Sequence, residues 1–176
     1  MDAFCGIIDF SSHTTDFQAL VRMWRTLAPL SRGYSYVRGG IALVCERGKH
    51  LSATRPSPNS RSKRENATVI LSSPSKNPML ANELITRYVC DGLDSLCEAK
   101  SDVAFAIVDE GKRLFALFSA DCPIFWARTK NTVLFSTSRD SICAYANGKF
   151  PPFSLCHTVI DPHGKALFCD VKHDKF

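Results

Sequence analysis

Cys5 is the residue of this chain best placed for covalent chemistry, since its thiol lies near the start, in the run Phe-Cys-Gly-Ile-Ile-Asp-Phe. If residues 1–4 were removed, Cys5 would become the first residue, and its own α-amine would lie within reach of its sulfur as a general base. Residues 1–4 are therefore a candidate propeptide. The alternative is an ordinary buried cysteine on a first strand, which is common for free cysteines.

The remaining cysteines indicate neither a metal site nor a disulfide framework. The chain has 8 cysteines, and none of them forms a Cys-x-x-Cys pair. Zinc sites normally need ligands clustered at short spacing. We therefore expect no metal and no cofactor, and mostly reduced thiols, several of them in the core.

Length and composition predict one globular domain that covers residues 1–176. Hydrophobic residues make up 45% of the chain and charged residues 22%, which are ordinary globular values. No segment approaches the ~20 consecutive apolar residues of a spanning helix, and no signal peptide is evident. We therefore expect a soluble, cytoplasmic protein with no membrane partner.

The net charge of +5 is a mild excess, and much of it lies in the stretch 55–66. That stretch is rich in loop-forming residues and predicts an exposed loop. A basic loop is one way to contact nucleic acid, but no aromatic residue in it offers a stacking platform. We therefore expect a solvated loop and no nucleic-acid partner.

The hydrophobic pattern predicts a mixed α+β chain. Apolar residues recur at helical spacing in two segments, and β-branched or aromatic residues fill several others. The first predicted helix is capped by Thr15 or Asp16 and runs to about Leu30, with an apolar face of Phe17, Leu20, Val21, Trp24 and Leu27. The second runs from about Met79 to Leu96, with Leu80, Leu84, Tyr88 and Leu93 inward. Strands are predicted at 40–44 and 67–72, and strand pairs at 104–118 and 123–138.

Three segments carry a resemblance to a known family: Cys5-Gly6-Ile7-Ile8, the strand pair from Ala104 to Phe118, and Phe135-Ser136-Thr137. Taken together, they resemble the glutaminase domain of class II glutamine amidotransferases. This is the N-terminal-nucleophile type that is fused to asparagine synthetases. The resemblance covers roughly residues 4–165. It implies the four-layer αββα sandwich of N-terminal-nucleophile hydrolases.

The resemblance also implies an activity. Cys5 would hydrolyse the side-chain amide of glutamine, and the ammonia would pass to a separate synthetase chain, because no synthetase domain follows within the 176 residues.

Two arginines match the family's pattern in part. Arg32 stands in an Arg-Gly pair after the first helix, and Arg55 is the nearest match to the arginine that holds the glutamine carboxylate through its planar fork. Otherwise Arg32 is a helix-terminal cation and Arg55 belongs to a solvated loop.

The other implied site residues depart from the family's pattern. Ser72 and Ser73 stand where an Asn-Gly-Glu-like turn supplies the oxyanion donors, and the next residue, Pro74, has no N–H to donate. Loss of one such donor typically costs ~100- to 1,000-fold in rate. Asn82 stands where an aspartate would meet the glutamine α-amino group, and Glu83 is either shifted into that role or solvated.

Three functions remain open at this point. The first is a stand-alone glutaminase-like subunit that uses Cys5. The second is a catalytically inactive amidotransferase-like module for protein interaction or sensing. The third is an N-terminal-nucleophile amidohydrolase that acts on another small amide. If residues 1–4 stay attached and Cys5 is nevertheless active, His13 is the first alternative base to test.

Overall fold

The structure is a computed structural model of the chain. It describes residues 3–9, 15–46, 51–53, 67–72, 80–96, 104–109, 114–119, 124–128, 132–145, 153–156 and 166–170. The loops expected at 55–66 and 74–78 lie outside these ranges. No helix within them is both long enough and apolar enough to cross a membrane.

The described residues form eleven strands, three α-helices and a 3-10 turn, with the helices separated by runs of strands. In order, they are β1 (Phe4–Ile8), α1 (Phe17–Leu27), β2 (Tyr34–Arg38), β3 (Ile41–Cys45), β4 (Leu51–Ala53), β5 (Ala67–Ser72), α2 (Leu80–Asp91), a 3-10 turn (Asp94–Leu96), β6 (Ala104–Asp109), β7 (Leu114–Ser119), β8 (Ile124–Arg128), β9 (Val133–Ser136), α3 (Arg139–Tyr145), β10 (Phe153–Cys156) and β11 (Ala166–Asp170).

The strands form two antiparallel sheets. One has six strands in the order β10-β8-β9-β1-β3-β2, and the other has five in the order β11-β7-β6-β5-β4. The two predicted strand pairs are present as β6 with β7 and β8 with β9. The first strand of the chain, β1, lies inside its sheet, between β3 and β9. The chain is thus a mixed α and β structure with antiparallel sheets.

The two sheets pack face to face through an apolar cluster drawn from both. Phe135 is its centre, with its ring centroid 6.0 Å from that of Phe4 and 5.0 Å from that of Phe115. Phe4 and Phe135 come from the six-stranded sheet and Phe115 from the five-stranded sheet, and all three are buried. Burial of such side chains contributes roughly 1.5–3 kcal/mol each.

The described helices cover the two outer faces. Residues of α1 and α3 pack on the outer face of the six-stranded sheet, and residues of α2 pack on the outer face of the five-stranded sheet, over the stacked rings of Phe105 and Phe118. The layers therefore run α1 with α3, six-stranded sheet, five-stranded sheet, α2.

Helix α1 begins where the sequence predicts and ends earlier. The Asp16 carboxylate accepts a hydrogen bond from the Ala19 N–H at 2.9 Å, which confirms Asp16 as the N-cap. The helix ends at Leu27 instead of continuing to about Leu30, because Pro29 restricts the residue before it to extended conformations.

The buried face of α1 differs from the predicted apolar stripe. The side chains most deeply buried are Ala19, Leu20 and Met23, whereas Phe17 is 47% exposed. The stripe that includes Phe17 and Trp24 therefore lies at the border of the packed face. Only the position of α1 on its sheet decides which part of the stripe is covered.

Helix α2 is also shorter than expected. Leu84 and Tyr88 are buried as predicted, but the helix ends at Asp91 because Gly92 adopts a left-handed φ of 82°. The Gly92 N–H donates to the Tyr88 carbonyl at 3.0 Å and closes the last turn. A 3-10 turn follows, in which Leu96 is buried.

The sequence pattern did not predict β2, β4, β10, β11 or α3. Strand β2 is exposed at four of its five positions, so it lacks the alternation that marks a half-buried strand. The signal that could have found it is the Gly39-Gly40 pair before β3, a combination typical of two-residue hairpin loops, in which Gly39 has a φ of 53°.

A buried hydrogen bond connects α2 to the sheet beneath it. The Tyr88 hydroxyl donates to the Asp109 carboxylate at 2.6 Å, and both residues are almost fully buried. Burial, together with the Asp109 carboxylate, raises the pKa of Tyr88 above its usual value. The hydroxyl therefore remains a donor across the physiological range.

We expect Tyr88→Phe to lower the free energy of unfolding by about 1.5–3 kcal/mol, the range for hydrogen bonds to charged groups, because the buried Asp109 carboxylate loses a donor while the ring is kept. Arg87→Ala is the matched control on the same helix: it removes an exposed ion pair with Glu83 and should cost less than about 0.5 kcal/mol. Urea denaturation measures both. Equal effects of the two substitutions would contradict the role assigned to Tyr88.

Candidate functional site around Cys5

Cys5 lies within the hydrogen-bonded ladder of the six-stranded sheet. The Glu46 N–H donates to the Ala3 carbonyl, and the Asp9 N–H donates to the Gly40 carbonyl. In an antiparallel pair, hydrogen-bonded positions alternate, so Cys5 exchanges its backbone hydrogen bonds with its partner Val44 on β3. The backbone nitrogen of Cys5 is therefore an amide donor in the ladder, and it cannot act as a base because its lone pair is delocalised into the peptide bond.

The thiol of Cys5 points to the helical side of the sheet. It belongs to the apolar cluster formed with α1 and α3, and it is fully buried. Two buried serines surround it: Ser136 is its cross-strand partner on β9, and the Ser141 side chain hydrogen-bonds to it. The Ser141 hydroxyl donates its hydrogen to the Met23 carbonyl at 3.0 Å, which joins α3 to α1 above the thiol.

Burial raises the pKa of the Cys5 thiol from 9.0 to about 12. Loss of solvation is the largest cause, and the hydrogen bond with Ser141 opposes it only in part. The thiolate is the nucleophilic form of cysteine. At neutral pH Cys5 is therefore a protonated core side chain in this conformation.

The residues just before Cys5 are part of the folded structure. Phe4 is fully buried between the sheets, and its N–H donates to the Thr137 hydroxyl at 3.3 Å while its carbonyl accepts from the Thr137 N–H at 3.1 Å. The Ala3 N–H donates to the Glu46 carboxylate at 3.4 Å. Removal of residues 1–4 would therefore take a large side chain out of the core.

The two glycines of the recognised motifs have packing roles. A Cβ on Gly6 would lie 2.4 Å from the Phe135 ring and 2.7 Å from Leu43. A Cβ on Gly33 would lie 2.5 Å from Val44 and 2.9 Å from the Trp24 ring. Both contacts are too short for any side chain larger than hydrogen, so the Cys-Gly and Arg-Gly pairs are each explained by the close approach of neighbouring side chains.

The other candidate site residues do not gather around Cys5. Arg32 is exposed and precedes β2, which is separated from β1 by β3. Asn82 and Glu83 are exposed on α2, beyond the five-stranded sheet, while the thiol faces the helices on the other side of the six-stranded sheet. The two facing sheets alone place about 10 Å between those sides.

Some predicted residues cannot be placed relative to the thiol. Ser72 is the last residue of β5, where it pairs with Ala104, and its side chain is outside the description. Ser73, Arg55 and His13 lie outside the described residues. Their assigned roles therefore stay predictions.

Two clefts formed by described residues lie near the six-stranded sheet, and Cys5 lines neither. A polar cleft of about 340 Å³ is lined by Asp9, Asp16 and Tyr145, among others. An apolar groove of about 180 Å³ lies between α1 and the β2–β3 hairpin. Among the described residues, no group of three or more metal-binding side chains comes together.

Ser141 is the residue near Cys5 that the sequence analysis missed. It lies on α3, whose seven residues are too few to show a helical period. The available signal was Ser138, which precedes the helix as a cap-type residue and whose N–H donates to the Ser136 hydroxyl at 3.1 Å.

No protein-family model matches this sequence, and no curated protein is significantly similar to it. The arrangement around Cys5 is therefore interpreted from its own geometry and chemistry.

We expect iodoacetamide at pH 8 to label Cys90 and to leave Cys5 unlabelled in the folded protein, because Cys90 is exposed and Cys5 is fully buried. With a pKa of about 12, only roughly one Cys5 thiol in ten thousand is ionised at that pH. Peptide mass spectrometry measures the labelling, and the denatured protein, in which both residues should react, is the control. Labelling of Cys5 at the rate of Cys90 would contradict the buried site.

The raised pKa of Cys5 also predicts a pH dependence of stability. The unfolded thiol ionises near 9.0 and the folded thiol near 12, so this contribution is fully present below pH 9 and is lost as the pH rises towards 12. From pH 9 to 10.5 the free energy of unfolding should fall by about 1–2 kcal/mol more in the wild type than in Cys5→Ala. Identical slopes for the two proteins in urea denaturation would show that Cys5 is not buried as described.

Proposed function

We propose that this chain is an amidotransferase-like domain that lacks glutaminase activity and serves as a protein-interaction module. The observation that carries this proposal is the state of Cys5: its thiol is fully buried, its pKa is raised to about 12, and its backbone nitrogen is a donor in the β1–β3 ladder. An N-terminal-nucleophile mechanism needs an accessible sulfur and a free α-amine.

The layers of the structure support the relation to N-terminal-nucleophile hydrolases that the sequence motifs suggest. Two antiparallel sheets pack face to face, and helices cover both outer faces. We propose that this is the four-layer αββα arrangement of that fold class. The support is architectural and carries no implication for activity.

The motif residues that are retained support loss of chemistry with retention of fold. Gly6 and Gly33 leave room for Phe135 and Trp24 and so belong to packing. The positions assigned to substrate binding, Asn82 and Glu83, are exposed, and Glu83 pairs with Arg87 on its own helix at 2.9 Å. This combination is typical of a domain that keeps the packing of a fold and lacks its substrate contacts.

A glutaminase that is activated by removal of residues 1–4 is disfavoured by Phe4. Loss of a buried phenylalanine side chain typically destabilises a protein by about 3–5 kcal/mol, which is comparable with the total stability of many domains. Moreover, the new amine at Cys5 would be a charged group beside the core.

We expect no ammonia release from glutamine above the level of Cys5→Ala, and no saturable glutamine binding in calorimetry. Asn82 and Glu83 lie beyond the five-stranded sheet from the thiol, so neither places a carboxylate for the glutamine α-amino group beside Cys5. Lack of that charge-assisted hydrogen bond costs ~1.5–3 kcal/mol, which is roughly ten- to a hundred-fold in affinity.

The decisive control is a variant cleaved by a specific protease so that it begins at Cys5, with intact mass confirming the new terminus. We expect this variant to be less stable and equally inactive. Ammonia release by either form that is abolished by Cys5→Ala, or micromolar glutamine binding that is lost in Arg55→Ala, would overturn the proposed function.

A further inference from the structure

Strand β2 ends the six-stranded sheet and has an unpaired edge among the described residues. Its order in the sheet places β3 on one side and no described strand on the other. The β1–β3 ladder uses the backbone groups of Ala42 and Val44, so Leu43 pairs by hydrogen bonds with Tyr36 of β2. By the same alternation, the N–H and C=O groups of Ser35 and Val37 point away from the sheet.

The edge of β2 has few of the features that usually prevent strand addition. Natural edge strands are protected by charged side chains, proline or a β-bulge, whereas β2 reads Tyr-Ser-Tyr-Val-Arg, carries its one charged residue at its last position, and pairs with β3 over five consecutive positions without a bulge. Tyr34 is 60% exposed and Val37 is 50% exposed. Among the described residues, the edge thus offers backbone donors and acceptors beside apolar surface.

The groove next to this edge is apolar and lies on the same face as Ser35. Phe17, Val21 and Trp24 form its wall on α1, and Gly33 and Ser35 form its floor. Because Gly33 has no side chain, the Trp24 ring lies close to the backbone just before β2, in space that a Cβ on Gly33 would enter. A strand added to β2 would direct every second side chain towards this wall.

Charge at the groove favours an acidic occupant. Arg25 is the charged residue that lines it, and it is exposed, as is Arg32 just before β2. Two carboxylates on neighbouring segments have other partners: Asp16 caps α1 and lies 4.0 Å from Arg22, and Glu46 accepts from Ser31 at 2.9 Å. The chain as a whole carries a net charge of +5.

A second copy of the chain fits the edge less well than an acidic partner. Pairing of two β2 strands would bring the exposed Arg25 and Arg32 of each copy to the same border. Like charges that face each other across a border oppose association. An acidic segment would meet the same arginines with favourable sign.

We propose that the free edge of β2 and the groove beside α1 bind an extended, acidic segment of a partner protein, which adds to the six-stranded sheet as a further strand. This inference rests on the proposed role of the domain as an interaction module, and it names the partner's chemistry. Backbone hydrogen bonds to Ser35 and Val37 provide affinity. Apolar side chains against Phe17 and Trp24, together with carboxylates at Arg25, provide selectivity.

The probe is the acetylated and amidated peptide Glu-Val-Glu-Phe-Glu-Val-Glu, titrated into the full chain with calorimetry and tryptophan fluorescence as readouts. Trp24 lines the groove, so binding should change its emission. We expect saturable binding, and at least tenfold weaker binding of the peptide with lysine in place of glutamate. We also expect roughly tenfold weaker binding of a peptide that is N-methylated on the side facing β2, because it lacks one or two backbone donors.

Two pairs of variants test the same site from the protein side. Val37→Pro removes an outward N–H and should weaken binding roughly tenfold, while Val37→Thr keeps the N–H and should bind as the wild type does. Arg25→Glu should weaken binding at least tenfold, and Arg25→Lys should change it by less than about threefold. Thermal unfolding checks that Val37→Pro is folded, and the N-methylated peptide tests the backbone contact without altering the protein.

Absence of saturable binding at millimolar peptide, or equal binding of the lysine or N-methylated peptide, would overturn the proposal. Concentration-dependent dimerisation in sedimentation that is lost in Val37→Pro would also overturn it, because the edge would then belong to a second copy. Glutaminase activity of the folded chain would refute the proposed non-catalytic role without altering the peptide result, so the two proposals fail separately.

Discussion

The structure depends on the burial of both faces of β1. Phe4 and Ile8 point between the two sheets, while Cys5 and Ile7 point to the helices. Neighbouring strands on both sides use the backbone hydrogen-bonding groups of β1, so this segment has neither a free edge nor a free face. A strand in this position organises the sheet around it, because a one-residue change in its register would move Phe4 and Cys5 to the opposite faces.

The same burial determines the chemistry that Cys5 can perform. Reactive cysteines need a positive or partly solvated environment that stabilises the thiolate, whereas this thiol is enclosed by apolar side chains and the Ser136 and Ser141 hydroxyls. These hydroxyls are themselves used in structural hydrogen bonds, one to Met23 and one from Ser138. The polar groups therefore join α3 to the sheet and to α1, which gives them a structural reason to be buried.

The centre and the border of the six-stranded sheet differ in whether their backbone hydrogen-bonding groups face another described strand. At the centre, every backbone group of β1 between Phe4 and Ile8 has a partner strand. At the border, the outward groups of Ser35 and Val37 face away from β3, next to a groove with arginine at its side. Among the described strands, the outward backbone groups of β2 thus lie on the far side of β3 from the cysteine that first suggests a function.

The sequence by itself determined the mixed α and β character, an N-cap at Thr15 or Asp16, of which the structure uses Asp16, the inward positions of Leu84 and Tyr88, and the strand pairs β6–β7 and β8–β9. These features depend on local capping, on hydrophobic period and on short turns, and the sequence displays all three. The tertiary structure alone decided the environment of Cys5 and the availability of β2. A strand pattern does not tell which neighbours will flank a segment or which helices will cover it. The chain pairs β1 with β9, more than a hundred residues away, and covers the thiol with α1 and α3. Desolvation by these distant elements, which local sequence does not encode, turns a candidate nucleophile into a core side chain.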